Sequence, residues 1–165
     1  MDEMTTMRKS LQESMNFLGA LATGIEDAIG RPANSMAYVA GKRLGKKLSR
    51  NAPKTDDVEK ALDEVRKVLE ENSCLWQFEP ILPEGRKALI EKTEDGDEIL
   101  IAFRDCMIRQ SLFSFGHHQK GSLCNMMYGF FSGALENITG CRSQLEIIHA
   151  GENACLKRLV LKEGF

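Results

Sequence analysis

Four residues near the end of the chain are of types that bind zinc: Cys124, Glu146, His149 and Cys155. Zinc takes thiolate, imidazole and carboxylate ligands in tetrahedral sets, and a structural site needs them to converge from elements already close in the fold. Cys124 opens the helix-like run LCNMMYGFFSGALENI, Glu146 and His149 lie toward the end of the next strand-like run, and Cys155 begins the last one. If the helix packs back on that hairpin, its first turn can meet the hairpin end. The spacing lacks a paired C-x-x-C signature, so a second reading stands beside the first: buried thiols and a surface glutamate. Cys106 or His118 could replace one of the four, and Cys106 with His117 and His118 could form a second group with Cys124. The plainer reading of those residues is packed or surface side chains. Cys74 beside Leu75 and Trp76 reads as a small core residue. Cys141 follows the helix-ending Gly140 with no ligand partner at a clear spacing.

Composition bounds what such a site can serve. At 165 residues the chain suits one domain, residues 1–165, and its 42% hydrophobic and 28% charged fractions are those of a globular protein. No apolar run approaches the roughly 18 residues of a membrane span. The start, MDEMTTMRKS, lacks the basic-then-apolar order of a secretory signal, so a soluble, cytoplasmic protein is expected. Five cysteines in a reducing compartment argue for metal, reactive thiols or burial rather than disulfides. A net charge of -2 removes the basic face a nucleic-acid binder needs. One basic stretch, KRLGKKLSRNAPK from Lys42 to Lys54, reads as a solvated helix end, with an acidic partner as the alternative.

The elements that must position the four residues follow from periodicity. Met7, Leu11, Met15, Leu18, Leu21, Ala22, Ile25 and Ile29 recur at helical spacing, and Gly30 and Pro32 stop that helix. SMAYVAGKRLGKKL predicts a second helix from about Ser35 to Leu48, whose Gly41 and Gly45 let another backbone come close. Asp56 and Glu59 read as a capping box for VEKALDEVRKVLEE, a third helix with Val58, Leu62, Val65 and Leu69 on its buried side. SCLWQFEPIL, GRKALIEK and DEILIAFRD read as antiparallel strands, with Asp95-Gly96 as a hairpin signal. Cys106 to Lys120 reads as helix or loop. Leu123 to Ile138 is helical, ended by Thr139-Gly140, and two strands joined at Gly151 to Asn153 finish the chain. The order predicts an α+β fold: N-terminal helices, antiparallel sheet, C-terminal helix, then a two-stranded hairpin.

The residues from Cys124 to Gly133, then Thr139-Gly140, Glu146-x-x-His149 and Gly151-Glu152-Asn153-Ala154-Cys155, together resemble the 4-vinyl-reductase-like domain, also called the hydrocarbon-binding domain. That family's pattern is a Cys, a G-F/Y-x-x-G helix, a Glu-x-x-Cys and a Gly-rich turn ending in Cys. The specific part covers the last forty or so residues, and the earlier helices are consistent with the rest. In its phenol-responsive sensor members, Cys, Glu, Cys and Cys bind a structural zinc beside a buried pocket for a small aromatic molecule. The resemblance therefore implies zinc on Cys124, Glu146, His149 and Cys155, with His149 standing where the family has Cys. Imidazole in place of thiolate keeps an ordinary zinc coordination. The resemblance also places Tyr128 at the pocket, with Phe103, Phe113 and Phe131 as the expected apolar lining.

Three function classes follow. The first is a binding module for a small hydrophobic or aromatic ligand, a sensor or carrier whose readout goes through an unidentified protein partner. The second, suggested by the family's name, is an enzyme or accessory protein of tetrapyrrole vinyl reduction; no G-x-G-x-x-G follows a strand, and a fully ligated zinc has no open position for substrate. The third is a dimeric scaffold, since the domain is similar in fold to the small subunits of the TRAPP vesicle-tethering complex. A homodimer is expected in any case, because the first helix carries more apolar surface than a domain this size covers.

Overall fold

The computed structural model describes residues 3–72, 77–104, 106, 108–109, 120–151 and 154–162. Cys74, Trp76, Phe113, Phe115, His117 and His118 lie outside the described residues. Helices α1 (Glu3–Ile29), α2 (Pro32–Leu48) and α3 (Val58–Glu71) precede strands β1 (Gln77–Ile81), β2 (Ile90–Thr93) and β3 (Gly96–Arg104). Helix α4 (Ser122–Thr139) and the hairpin β4 (Arg142–Ala150) and β5 (Ala154–Lys162) follow. The architecture is the α+β arrangement that the pattern implied. Every pairing is antiparallel, in the order β1-β3-β5-β4, with β2 also on β3. No helix among the described residues is long and apolar enough to cross a membrane.

Local chemistry sets the boundaries. Gly30, at φ +64°, ends α1 by donating its N–H to the Glu26 carbonyl, a left-handed position that suits glycine. Pro32 then opens α2 three residues before the expected start, because proline in the first turn has no N–H to leave unpaired. The cap of α3 is Asp57, one residue beyond the expected Asp56, and its carboxylate accepts from the N–H groups of Glu59 and Lys60 at 3.1 and 3.2 Å. The β2–β3 hairpin turns at Glu94-Asp95, with Gly96 at φ +132° as the first residue of β3.

Two glycine pairs fix the central helix pair. On α2, the Cβ position of Gly41 points at the Met126 carbonyl and that of Gly45 at the Phe130 carbonyl. On α4, Gly129 and Gly133 do the same toward the carbonyls of Tyr38 and Lys42. The contact is reciprocal, so each backbone lies in the notch left by the other's missing side chains. Lys42 and Lys46 of the basic stretch ion-pair with Glu136 of α4 at 2.7 and 3.2 Å, so part of that stretch is tied down. Burial works against the Glu136 charge, but the two ammonium groups outweigh it and hold the carboxyl below its ordinary value.

The core lies between the sheet and the helices α3 and α4. Leu62, Val65 and Leu69 of α3, Phe131 and Leu135 of α4, and Ile99, Ile101, Phe103 and Leu159 of the sheet form one buried cluster. Helix α1 stands apart. Its inward side carries Met15, which packs against the core, and the buried Gly19 and Ala22, whereas Met7, Leu11, Leu18, Leu21, Ile25 and Ile29 are exposed. Met15 and Ala22 apart, the apolar stripe read from the sequence faces away from this core. Met36 and Val39 of α2 are exposed as well.

Candidate functional site

The alternation of β5 decides what meets what. Cys155, Lys157, Leu159 and Leu161 are every second residue, and they face α4, across from Phe103, Ile101 and Ile99 of β3. Arg158 points to the other face. There it pairs with Glu146 at 2.7 Å and lies 3.7 Å from Glu98, which Arg86 also holds. Glu146 therefore sits in an ion-pair network on the outer face, because its neighbour Arg158 is an odd number of residues from Cys155.

His149 lies three residues beyond Glu146, which regular alternation would place on the inner face. A bulge between Ile147 and His149 shifts the register, so His149 faces Leu156 and Ala150 faces Cys155. His149 is exposed. The structure thus brings Cys124 and Cys155 to the inner side and leaves Glu146 and His149 on the outer one. Among the described residues no group of three or more His, Cys, Asp or Glu side chains is arranged to hold a metal ion.

What converges instead is a thiol and amine cluster at the C-terminal end of β3. Cys106 just beyond β3, Cys124 in the first turn of α4 and Cys155 at the start of β5 all lie within electrostatic reach of Lys157. Burial pushes the thiols of Cys106 and Cys124 up from their ordinary value. Lys157 is 2% exposed. Its Nζ stands 4.0 Å from the Phe103 ring centre, 4.8 Å from that of Tyr128 and 3.7 Å from Met127 Sδ. Burial lowers its pKa to about 8, the nearby thiols acting in the opposite sense.

Of the expected pocket residues, Tyr128, Phe103 and Phe131 come together. Phe103 and Phe131 meet edge to face with centres 5.3 Å apart, and Phe78 joins them at 4.8 Å from Phe131. Tyr128 Oη is buried with no hydrogen-bond partner among the described residues, and burial foremost raises its pKa. Phe113 falls outside the described residues. The sequence reading passed over Lys157, although the period-2 row of Cys155, Lys157, Leu159 and Leu161 was there to mark it as an inward-facing charge.

Helix α4 has no cap of its own, since Gly121 offers no side chain. Glu26 of α1 supplies one: its carboxylate accepts from the Ser122 N–H at 2.6 Å and from the Ser122 hydroxyl. The first helix is thereby tied to the turn that carries Cys124.

The chain matches no protein-family model, and no curated protein matches it. Among solved structures it is similar to one described as the "crystal structure of the phenol-responsive sensory domain of the transcription activator PoxR with Phenol". The match has a TM-score of 0.63 at 14% identity and covers 88% of this chain and 74% of that one. At that identity the likeness is one of fold, and the chain shares the fold of that sensory domain.

Proposed function

We propose that the protein binds a small hydrophobic or aromatic molecule and acts as a sensor or carrier of it. The observation that carries this reading is the shared fold with a domain described as phenol-responsive, in a chain whose Tyr128, Phe103 and Phe131 gather beside one buried amine. Apolar walls with few polar groups are the usual make-up of a small-molecule site. Native mass spectrometry of protein purified without added ligand, followed by displacement of a fluorescent apolar probe by phenol and toluene, tests it. A retained apolar molecule or displacement by either compound is expected. Failure of every apolar probe to bind ends this reading.

The same proposal includes a homodimer through α1. An exposed apolar stripe along a 27-residue helix is about 40 Å long, enough for a paired-helix interface near the roughly 800 Å² per partner of stable complexes. Met7 and Phe17 are 69% and 70% exposed. Light scattering at micromolar concentration is expected to give twice the chain mass, and Leu18→Glu with Leu21→Glu to return it to one. A monomeric wild type would refute the pairing.

Zinc is part of the proposal too. Cys124 and Cys155 offer thiols on the inner side, and a bound zinc would supply a cross-link between α4 and the hairpin. For Glu146 to join them it must leave Arg158, and His149 must reach around the strand. Elemental analysis is expected to find one zinc per chain, with thermal stability falling in both Cys124→Ala and Cys155→Ala. Metal-free protein whose stability survives both changes would make these residues packing only.

A further inference from the structure

The geometry points to Lys157 as the head-group receptor of the site: we infer that the ligand is an apolar molecule bearing one anionic oxygen group, a carboxylate or a phenolate. This rests on the ligand-binding reading above and narrows the class of molecule bound. Lys157 lies in the core, nearly inaccessible to water, and no carboxylate among the described residues pairs with it. Its contacts are two ring faces and a thioether sulfur, which can stabilise a cation but accept no strong hydrogen bond. Among the described residues, the titratable groups within its electrostatic reach are the thiols of Cys106, Cys124 and Cys155.

A buried ammonium held only by a thioether sulfur and two ring faces among the described residues is costly, and a strand facing this core would ordinarily carry leucine there, as it does at Leu159 and Leu161. A second poorly satisfied donor belongs to the same cluster. Among the described residues Tyr128 Oη is buried without an acceptor, on the very ring over which the ammonium stands. Among the described residues, one donor has only a thioether sulfur as acceptor and the other has none, and both lie beside aromatic side chains; they match a ligand that brings oxygen acceptors on an apolar body. A neutral hydrocarbon would supply neither with an oxygen. A carboxylate or phenolate oxygen satisfies the ammonium with a charge-assisted bond and can take the tyrosine hydroxyl as well.

The test compares matched probes on the full chain. Benzoate is set against toluene and 4-nitrophenolate against nitrobenzene, with calorimetric titration of wild type, Lys157→Met, Lys157→Arg and Tyr128→Phe. Each anion is expected to bind wild type at least tenfold more tightly than its neutral counterpart. Lys157→Met should abolish that preference, and Tyr128→Phe should reduce it several-fold. Lys157→Arg, which keeps the charge, should retain the preference in part and shows that loss in Lys157→Met is not loss of fold. A preference for benzoate alone assigns the carboxylate, and one for 4-nitrophenolate alone assigns the phenolate. If both neutral probes bind wild type as tightly as the anions, the inference is overturned while the ligand-binding reading stands. If no probe binds, both fail.

Discussion

Lys157→Met is expected to raise the melting temperature of the ligand-free protein. Lysine and methionine are both unbranched, and methionine fits beside Phe103, Tyr128 and Met127 without a charge to desolvate. Replacing buried charge with well-packed apolar groups commonly stabilises by about 1–4 kcal/mol. In a domain of this size each kcal/mol is about 2–4 °C. Cation–π contact with two rings works the other way, at roughly 2 kcal/mol when desolvated, so the expected gain is the surplus over that. The gain also depends on pH with a definite sign. Burial lowers the folded pKa of Lys157 to about 8, below the ordinary lysine value, so the folded chain sheds this proton before the unfolded chain does. Wild-type stability therefore rises relative to the variant as pH climbs through about 8, and the gap between the two narrows. Thermal melts of both at several pH values read it directly; a variant that melts lower than wild type would show that the ammonium stabilises the core.

The largest loss is expected from Gly129→Ala. Helix propensity alone favours alanine over glycine by about 1 kcal/mol. Here the new methyl would sit 2.0 Å from the Tyr38 carbonyl oxygen, far inside contact distance and against backbone rather than a side chain that could swing aside. The helices α2 and α4 would have to part along their whole notch, exposing core around Phe130 and Phe131. Overpacking of this kind costs about 1–3 kcal/mol and more where backbone must move. The expected net change is a loss of roughly 3 kcal/mol or greater, read as a lower urea midpoint. Gly24→Ala on α1 is the control. Nothing lies within 4 Å of the added methyl, so propensity decides and stability should rise slightly. Equal effects at the two sites would mean that the notch is not what holds the pair.

Much of this fold was legible because periodicity and punctuation agree. The helix ends at Gly30 and Gly140 and the strand runs about Asp97–Arg104 and Ala154–Lys162 follow from glycine placement and apolar spacing. Gly41 and Gly45 announced a close backbone, but their partners Gly129 and Gly133 sit almost ninety residues away, and no local pattern links the two pairs. The direction of the α1 stripe was illegible for a related reason: helical spacing shows that one side is apolar and is silent on whether core or solvent receives it. At the site, Cys124 and Cys155 were placed on facing elements. The separation of Glu146 and His149 from them turns on strand parity and on one bulge, features that spacing in sequence leaves undetermined. Lys157 was missed because a charge beside Arg158 reads as surface, although its every-second-residue row with Cys155, Leu159 and Leu161 marks it as inward.

The carboxylate that caps α4 comes from a residue 96 positions earlier, and this separation has a consequence during synthesis. Ribosomes add about 5–20 residues per second, so α1 is out for roughly 5–20 s before Ser122 exists to receive Glu26. Throughout that interval its row of Met7, Leu11, Leu18, Leu21 and Ile25 is exposed, as it is in the finished fold. Two neighbouring chains on one message carry the same row at the same time. On the proposed pairing through α1, this row would let one growing copy meet another before either chain is complete.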